Sequence, residues 1–136
     1  EVPGTGRAVE LGLAALGEED DDILVLSGDV PLLEAEMLTA LLDTHRARRA
    51  AATLLTAVLD DASGYGRVIR SEGDTVARIV EQKDAAPDEL AVTEINAGVY
   101  VFQAASLRRE LARVGTANAQ GEKYLTDVIG LLRDAG

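Results

Sequence analysis

Ser27, Gly28 and Asp29 directly follow an apolar run, Ile23 to Leu26. The run predicts a buried parallel strand, and in open α/β sheets ligands collect at the C-terminal edge of such strands. The carboxylate of Asp29 is a hard oxygen donor suited to a Mg²⁺ ion carried by a phosphate, while Gly28 permits a tight turn and a close ligand approach. The alternative is a strand-ending turn in which Asp29 only caps the next element.

Two further polar clusters lie at the expected ends of strands, where loops gather over a sheet. One runs from Gly64 to Arg67; in it Gly64 and Gly66 flank Tyr65, and the glycines permit positive φ and close backbone approach. The other is Glu81 with Asn96, a carboxylate and a carboxamide that can bond hydroxyl groups. Together with a metal-binding carboxylate they indicate a nucleotide or sugar pocket. The alternative for Glu81 and Asn96 is an ordinary polar surface.

A glycine-rich turn, Gly4-Thr5-Gly6, precedes the first helical pattern. Thr5 is expected to cap that helix, and the free N–H groups of the helix start could instead hold an anion. His45 lies near the end of a later helical pattern, where the helix dipole favours an imidazolium, and we assign it no catalytic role. We find no Ser/His/Asp or Cys/His arrangement and no spacing typical of a zinc site.

The elements that must position these residues alternate between helix and strand. Apolar spacing predicts a first helix that contains Val9, Leu13 and Leu16, and further helices around residues 34–49, 107–114 and 125–132. β-rich runs predict strands at 23–26, 51–59 and 99–102, and a hairpin at 67–70 and 76–80, with a loop at 85–89. The order predicts an α/β sheet with an inserted β-ribbon.

Composition limits the classes of function. A chain of 136 residues with 47% hydrophobic residues is one globular domain by length. The net charge of −11 argues against nonspecific binding to nucleic acid or to an anionic membrane, so an anionic substrate needs local basic groups or a metal. The absence of cysteine fits a cytosolic protein. Because the sequence opens without methionine and enters a helix before any strand, we expect a fragment that begins inside a domain.

A series of motifs along the chain occurs in the order and spacing of one family. They are Gly4-Thr5-Gly6, Leu26 to Leu32, Gly64 to Arg67, Ile79 to Ala85, Glu94 to Tyr100, Asn118 to Glu122 and Tyr124 to Asp127. Over essentially its whole length the sequence resembles the uridyltransferase domain of the bacterial bifunctional N-acetylglucosamine-1-phosphate uridyltransferase/glucosamine-1-phosphate acetyltransferases. The serine before Gly28-Asp29 and the Ala/Arg-rich composition resemble the actinobacterial branch.

The resemblance implies a Rossmann-like nucleotide-diphospho-sugar transferase fold that lacks its first βα units. It also implies the reaction of UTP with N-acetylglucosamine 1-phosphate to give UDP-N-acetylglucosamine and pyrophosphate, for peptidoglycan precursors, in the cytoplasm. The family works with Mg²⁺ and forms homotrimers chiefly through the acetyltransferase domain. Carried over residue by residue, Asp29 matches the metal-binding, catalytic aspartate, and Ser27 and Gly28 match its neighbours that line the nucleotide site. Gly4 and Thr5 match the turn that contacts uracil. Gly66 matches a glycine whose backbone meets the sugar, and Glu81 and Asn96 match residues that bond the amino sugar.

The sequence departs from the family pattern at both ends. It lacks the N-terminal loop L-A-A-G-x-G-T-R with its following lysine, which holds the triphosphate, and the asparagine that supplies a second metal ligand. We therefore expect residues 1–136 to be a partial uridyltransferase domain, without the acetyltransferase β-helix and without activity by itself. Loss of the first strand should leave the strand at 23–26 with an unpaired edge and the chain with marginal stability.

Two other functions stay open. Another nucleotidyltransferase of the same fold, acting for instance on glucose 1-phosphate, would share the Gly-Asp pair and the final Leu-Thr-Asp. The motifs around Gly66, Glu81 and Asn96 favour the N-acetylglucosamine enzyme. A non-catalytic module that binds nucleotide sugars is the alternative from a different class.

Overall fold

The computed structural model describes residues 2–17, 21–28 and 33–136. Asp29, the predicted metal ligand, lies outside the described residues. The helices are α1 (Thr5–Leu16), α2 (Ala35–Arg48), α3 (Pro87–Leu90), α4 (Ala104–Leu111) and α5 (Asp127–Asp134). The strands are β1 (Asp22–Leu26), β2 (Ala52–Val58), β3 (Arg67–Arg70), β4 (Val76–Val80) and β5 (Glu94–Gln103). Within the described part of the chain, no helix is long and apolar enough to cross a bilayer.

The sheet is built around the long strand β5. On one side β5 pairs with β2 from Glu94 to Phe102, and on the other side its C-terminal half pairs with β1; both pairs are antiparallel. Nearer its start it pairs with β3 through Arg67 and Ile95, and β3 forms the predicted hairpin with β4. The described strands thus form one five-stranded sheet.

The prediction of a buried parallel strand at Ile23–Leu26 is wrong in two respects. β1 runs antiparallel to its partner β5, because an apolar run does not encode the direction of a neighbour that lies far along the chain. Its exposure also alternates: Ile23 and Val25 are half-buried, whereas Leu24 and Leu26 are 39% and 48% exposed. Among the described strands β1 pairs only with β5, so its other edge is unpaired, as predicted.

A bulge interrupts β5 where it passes β2. Leu54 pairs with Tyr100 and Thr56 pairs with Asn96, so a stretch of β5 that advances four residues lies opposite a stretch of β2 that advances only two. Gly98 lies within the bulge at φ 78°, a left-handed conformation that favours glycine. The bulge changes the direction of β5 between Asn96 and Tyr100.

Helices cover both faces of the sheet, as expected for an α/β fold. On one face α1, α4 and α5 pack around Phe102, Leu107 and Val128, whose side chains are completely buried. On the other face Leu41 of α2 packs against Val99 and Val101. This arrangement confirms the predicted α/β class and the inserted β-ribbon.

Some local predictions need correction. Thr5 does not cap α1, because the cap position is Gly4 and the Thr5 hydroxyl instead accepts a hydrogen bond from the N–H of Leu125, at 3.0 Å. Residues 85–89 are not all loop. Pro87 opens the short helix α3, since its fixed φ suits a first helical position, and the Glu89 carboxylate accepts the Ala86 N–H at 3.0 Å.

His45 lies in the last turn of α2, as predicted, and is buried. Its Nδ1 lies 2.8 Å from the Thr53 hydroxyl of β2, and its Nε2 lies 3.3 Å from a carboxylate oxygen of Asp22 in β1. The imidazole therefore links α2 to both strands that flank β5. These contacts, rather than the helix dipole alone, account for its position.

Candidate functional site

A cleft of about 180 Å³ opens where α1, β1, β4, β5 and the loop before β3 meet. It is lined by Thr5, Ser27, Gly64, Tyr65, Gly66, Glu81, Asn96, Ala97, Gly98, Tyr100, Leu125 and Thr126. The structure thus brings together five of the predicted site residues, Thr5, Ser27, Gly66, Glu81 and Asn96, from distant parts of the chain. Gly4 and Gly28 adjoin lining residues without lining the cleft themselves.

Glu81 supplies the carboxylate of the cleft. It follows β4 directly, and its Oε1 accepts a hydrogen bond from the Thr126 hydroxyl at 3.0 Å. Burial raises the pKa of Glu81, the Thr126 hydrogen bond opposes that rise, and the nearby carboxylates of Asp127 and Asp84 add to it. The group is an acceptor placed to bond hydroxyl or amide donors of a ligand.

Gly66 faces this carboxylate at close range. A Cβ at position 66 would lie 3.1 Å from Cγ2 of Ile79 and 3.4 Å from Oε2 of Glu81. No other residue leaves room there without moving one of these neighbours, so the glycine brings its own backbone beside the Glu81 side chain. The Gly66 carbonyl also accepts the Asn96 N–H at 2.9 Å, which joins the loop to β5.

A buried arginine holds the loop that carries Gly66. Arg67 is 4% exposed, and its guanidinium donates to the carbonyls of Tyr65 at 2.5 Å and Val92 at 3.1 Å and to Oε1 of Gln82 at 3.2 Å. The same Gln82 oxygen accepts the N–H of Gly64. Arg67 and Gln82 therefore fix the backbone that forms one wall of the cleft.

Asn96 lines the cleft beside this loop. Its Oδ1 accepts the N–H of Gly98 at 3.1 Å, and its Nδ2 donates to the Tyr100 hydroxyl at 2.5 Å. Because Gly98 has no side chain, Asn96 and Tyr100 meet across the bulge. Burial raises the pKa of Tyr100 to about 12 and the negative charge of Glu81 acts in the same direction, although the Asn96 hydrogen bond opposes it. The phenol therefore stays protonated at neutral pH.

The start of α1 forms the third wall by pairing with the segment before α5. The Gly6 N–H donates to the Lys123 carbonyl at 2.8 Å, and the Lys123 N–H donates to the Pro3 carbonyl at 2.9 Å. Gly4 has φ 121°, and a Cβ there would lie 2.5 Å from the Lys123 carbonyl oxygen. Close packing against the Lys123 backbone thus explains why glycines occupy this turn. Thr5, between them, lines the cleft. The predicted contact of Gly4 and Thr5 with uracil stays a prediction.

Ser27 marks the end of β1 at the cleft. Its N–H donates to the Gly98 carbonyl at 2.9 Å, which brings the end of β1 to the bulge of β5. Among the described residues no group of three or more His, Cys, Asp or Glu could hold a metal ion. A Mg²⁺ ion that also binds substrate phosphates needs only one or two carboxylates, so Asp29, two residues beyond Ser27, fits the expected donor type.

A larger cavity of about 370 Å³ also borders Glu81 and Thr126 and extends between β4 and α5. Its lining includes the carboxylates of Asp84, Asp127 and Asp134. Burial, with Asp84 nearby, raises the pKa of Asp127. Because clustered carboxylates repel an anion, this cavity does not suit a nucleotide phosphate as well as the smaller cleft does.

The sequence prediction did not assign a site role to Arg67, Tyr100 or Thr126. Each occurs within a motif quoted above, so the motif was the available signal for all of them. A further signal for Tyr100 was its spacing. Asn96, Gly98 and Tyr100 are two residues apart along one strand, so the glycine separates two side chains that can form a hydrogen bond with each other.

Comparisons with known proteins find relatives that match the whole chain. A family model described as nucleotidyl transferase matches residues 1–136. Curated relatives called Bifunctional protein GlmU are 58% identical in Leifsonia xyli subsp. xyli and 56% identical in Paenarthrobacter aurescens, each over 100% of this chain and 28% of the relative. A relative of that name in Brevibacillus brevis is 52% identical. The chain thus spans less than a third of the length of these relatives.

Solved structures show the same fold at low identity. A UDP-glucose pyrophosphorylase complexed with UDP-glucose superposes with a TM-score of 0.74 and 13% identity, over 100% of this chain and 52% of that one. A putative glucose-1-phosphate thymidylyltransferase from Bacillus anthracis gives a TM-score of 0.75 and 18% identity, over 100% and 51% of the two chains. These likenesses confirm the predicted nucleotidyltransferase fold.

Proposed function

Because the chain belongs to the nucleotidyl transferase family, we propose that it forms part of a uridyltransferase that makes UDP-N-acetylglucosamine and pyrophosphate from UTP and N-acetylglucosamine 1-phosphate. The observation that carries the proposal is the cleft in which Thr5, Ser27, Gly66, Glu81 and Asn96 converge. The relatives called Bifunctional protein GlmU support it, because they are 58% and 56% identical to this chain over its whole length.

In the proposed reaction a phosphate oxygen of the sugar 1-phosphate attacks the α-phosphorus of UTP in line. The bond to the leaving pyrophosphate breaks as the new P–O bond forms, so no covalent enzyme intermediate is required. The contribution of the protein is therefore positioning and neutralisation of charge. Neutralisation matters here because the chain itself carries a net charge of −11.

The chain's own residues divide this work between the two substrates. Glu81 and Asn96 bond the sugar, and the Gly66 backbone meets it; all three residues line the cleft. Thr5, with Gly4 beside it, meets the uracil ring, and Ser27 and Gly28 approach the nucleotide from the end of β1. Asp29 would hold Mg²⁺, which when bound neutralises phosphate charge.

We place this activity in the cytoplasm, in the supply of cell-wall precursors, consistent with the absence of cysteine. The homotrimeric assembly and the acetyltransferase domain expected from the family belong to the same proposal. Residues 1–136 alone are expected to lack activity.

The test uses a hybrid enzyme in which residues 1–136 replace the matching segment of the Leifsonia xyli relative. Pyrophosphate release is measured with UTP, Mg²⁺ and either N-acetylglucosamine 1-phosphate or glucose 1-phosphate. We expect a preference for the acetylated amino sugar that Asp29→Asn abolishes. Activity on glucose 1-phosphate alone would contradict the sugar assignment. Failure with both sugars would favour the non-catalytic binding module.

The isolated chain is assayed in parallel. It should release no pyrophosphate above the Asp29→Asn background. Asp29-dependent turnover by the isolated chain would contradict the expectation that residues 1–136 are only part of the active domain.

A further inference from the structure

Tyr100 lines the cleft although its side chain belongs to the core. The residue is 4% exposed, its ring stacks on Phe102 with a centroid separation of 5.5 Å, and it lines the cleft. A buried hydroxyl needs partners both for its oxygen and for its proton, because an unpaired polar group away from water is costly. The hydrogen bonds around Asn96 determine which of these needs is met.

The direction of the Asn96–Tyr100 hydrogen bond follows from the backbone. The Gly98 N–H can only donate, so the Asn96 atom that faces it, at 3.1 Å, must be the carbonyl oxygen. The amide nitrogen then faces Tyr100 at 2.5 Å and can only donate. The Tyr100 oxygen is therefore the acceptor, and its proton cannot point towards Asn96.

Among the described residues no hydrogen-bond acceptor is found for the Tyr100 proton, so the cleft itself is the place where one can lie. The hydroxyl stays protonated at neutral pH because burial raises its pKa to about 12. The same wall also offers the second N–H of the Asn96 amide, since only one of its protons is used. The cleft thus presents donors from Asn96 and Tyr100 beside the Glu81 acceptor.

We infer that Tyr100 is a sugar-binding residue whose phenolic O–H donates a hydrogen bond to an uncharged oxygen of the sugar, while its oxygen fixes the Asn96 carboxamide. This inference rests on the proposed function of the cleft. The adjacent donors and acceptor match a group that presents both, such as the N–H and carbonyl of an acetamide or a sugar hydroxyl.

Tyr100→Phe removes this donor and keeps the ring. In the hybrid enzyme we expect it to raise the KM for N-acetylglucosamine 1-phosphate about 10-fold, because the ligand oxygen loses its donor. The KM for UTP should change little, and the temperature of unfolding should fall modestly because the Asn96 Nδ2 loses its acceptor. Ser106→Ala is the control, because it removes another buried hydroxyl, bonded to Gln103 at 2.5 Å and remote from the cleft, and it should leave both KM values unchanged.

The outcomes separate the inference from the function on which it rests. An unchanged sugar KM in Tyr100→Phe, with an active unsubstituted hybrid, would overturn the inference alone, as would an equal rise in both KM values. An inactive unsubstituted hybrid would overturn the function and the inference with it. If the sugar KM rises only for N-acetylglucosamine 1-phosphate, the acetamide oxygen is the acceptor of the Tyr100 hydrogen bond. If it rises equally for glucose 1-phosphate, the acceptor is a ring hydroxyl.

Discussion

Adding one methyl group at Gly66 tests the packing of the cleft. Gly66→Ala would place a Cβ 3.1 Å from Cγ2 of Ile79 and 3.4 Å from Oε2 of Glu81. The first distance is shorter than an ordinary carbon–carbon contact, and Ile79 is itself 4% exposed and unable to move freely. Either the core side chain or the carboxylate of the cleft has to move.

The magnitude follows from what overpacking costs. An extra methyl in a well-packed site costs about 1–3 kcal/mol, and we expect the free energy of unfolding to fall by roughly that amount. Gly12→Ala is the matched control, since the same methyl at the middle of α1 meets nothing within 4 Å. There alanine should stabilise the chain by about 0.5–1 kcal/mol, because glycine is a poor helix former.

The assay is urea unfolding of the isolated chain, with pyrophosphate release by the hybrid enzyme as the second readout. Gly66→Ala should lower the unfolding midpoint and raise the KM for N-acetylglucosamine 1-phosphate, whereas Gly12→Ala should raise the midpoint and leave KM unchanged. A Gly66→Ala chain as stable as the wild type, with an unchanged KM, would refute the close approach of Gly66 to Glu81.

Three further predictions concern the neighbouring elements. Burial raises the pKa of Glu81 above the ordinary value of 4.5, so the folded chain binds a proton on Glu81 more tightly than the unfolded chain does. The free energy of unfolding therefore falls as the pH rises from the ordinary pKa through the raised pKa. Glu81→Gln should remove this fall, as measured by urea unfolding at a series of pH values, and should weaken sugar binding. An unchanged pH dependence of stability would show that Glu81 is not the group responsible. Arg67→Leu removes the donors that bond the carbonyls of Tyr65 and Val92, so the free energy of unfolding, measured with urea, should fall by about 3 kcal/mol or more. A fall of less than about 1 kcal/mol would refute this expectation. Among the described strands β1 has one unpaired edge, so we expect the isolated chain to self-associate there. Leu24→Lys places a charge on this strand, where Leu24 is 39% exposed, and should reduce the association in sedimentation experiments. Equal association of both forms would exclude that edge as the contact.

The elements were predictable from sequence because their signals are local. Apolar spacing located α1, α2, α4 and α5 within a few residues, and the turn between residues 70 and 76 located the hairpin. The direction of β1 was not predictable in the same way. It depends on pairing with β5, about 75 residues further along the chain, and both directions present the same apolar run.

The site was predictable where a residue type carries its own chemistry. Glu81 and Asn96 are polar residues at strand ends, and the structure places both in the cleft. Tyr100 and Arg67 were not assigned because each lies inside a strand pattern, where a tyrosine indicates core and an arginine indicates surface. Only the bulge at Gly98 shows that the tyrosine hydroxyl reaches the cleft, and only the buried carbonyls show what the guanidinium binds.

The most direct measurement is a crystal structure of the hybrid enzyme with bound UDP-N-acetylglucosamine. We predict that the sugar occupies the cleft, with its polar atoms within hydrogen-bond distance of Glu81 and Asn96 and its ring against the Gly66 backbone. A sugar bound elsewhere, for instance in the carboxylate-lined cavity between β4 and α5, with Glu81 and Asn96 still bonded only to Thr126, Gly98 and Tyr100, would contradict the account.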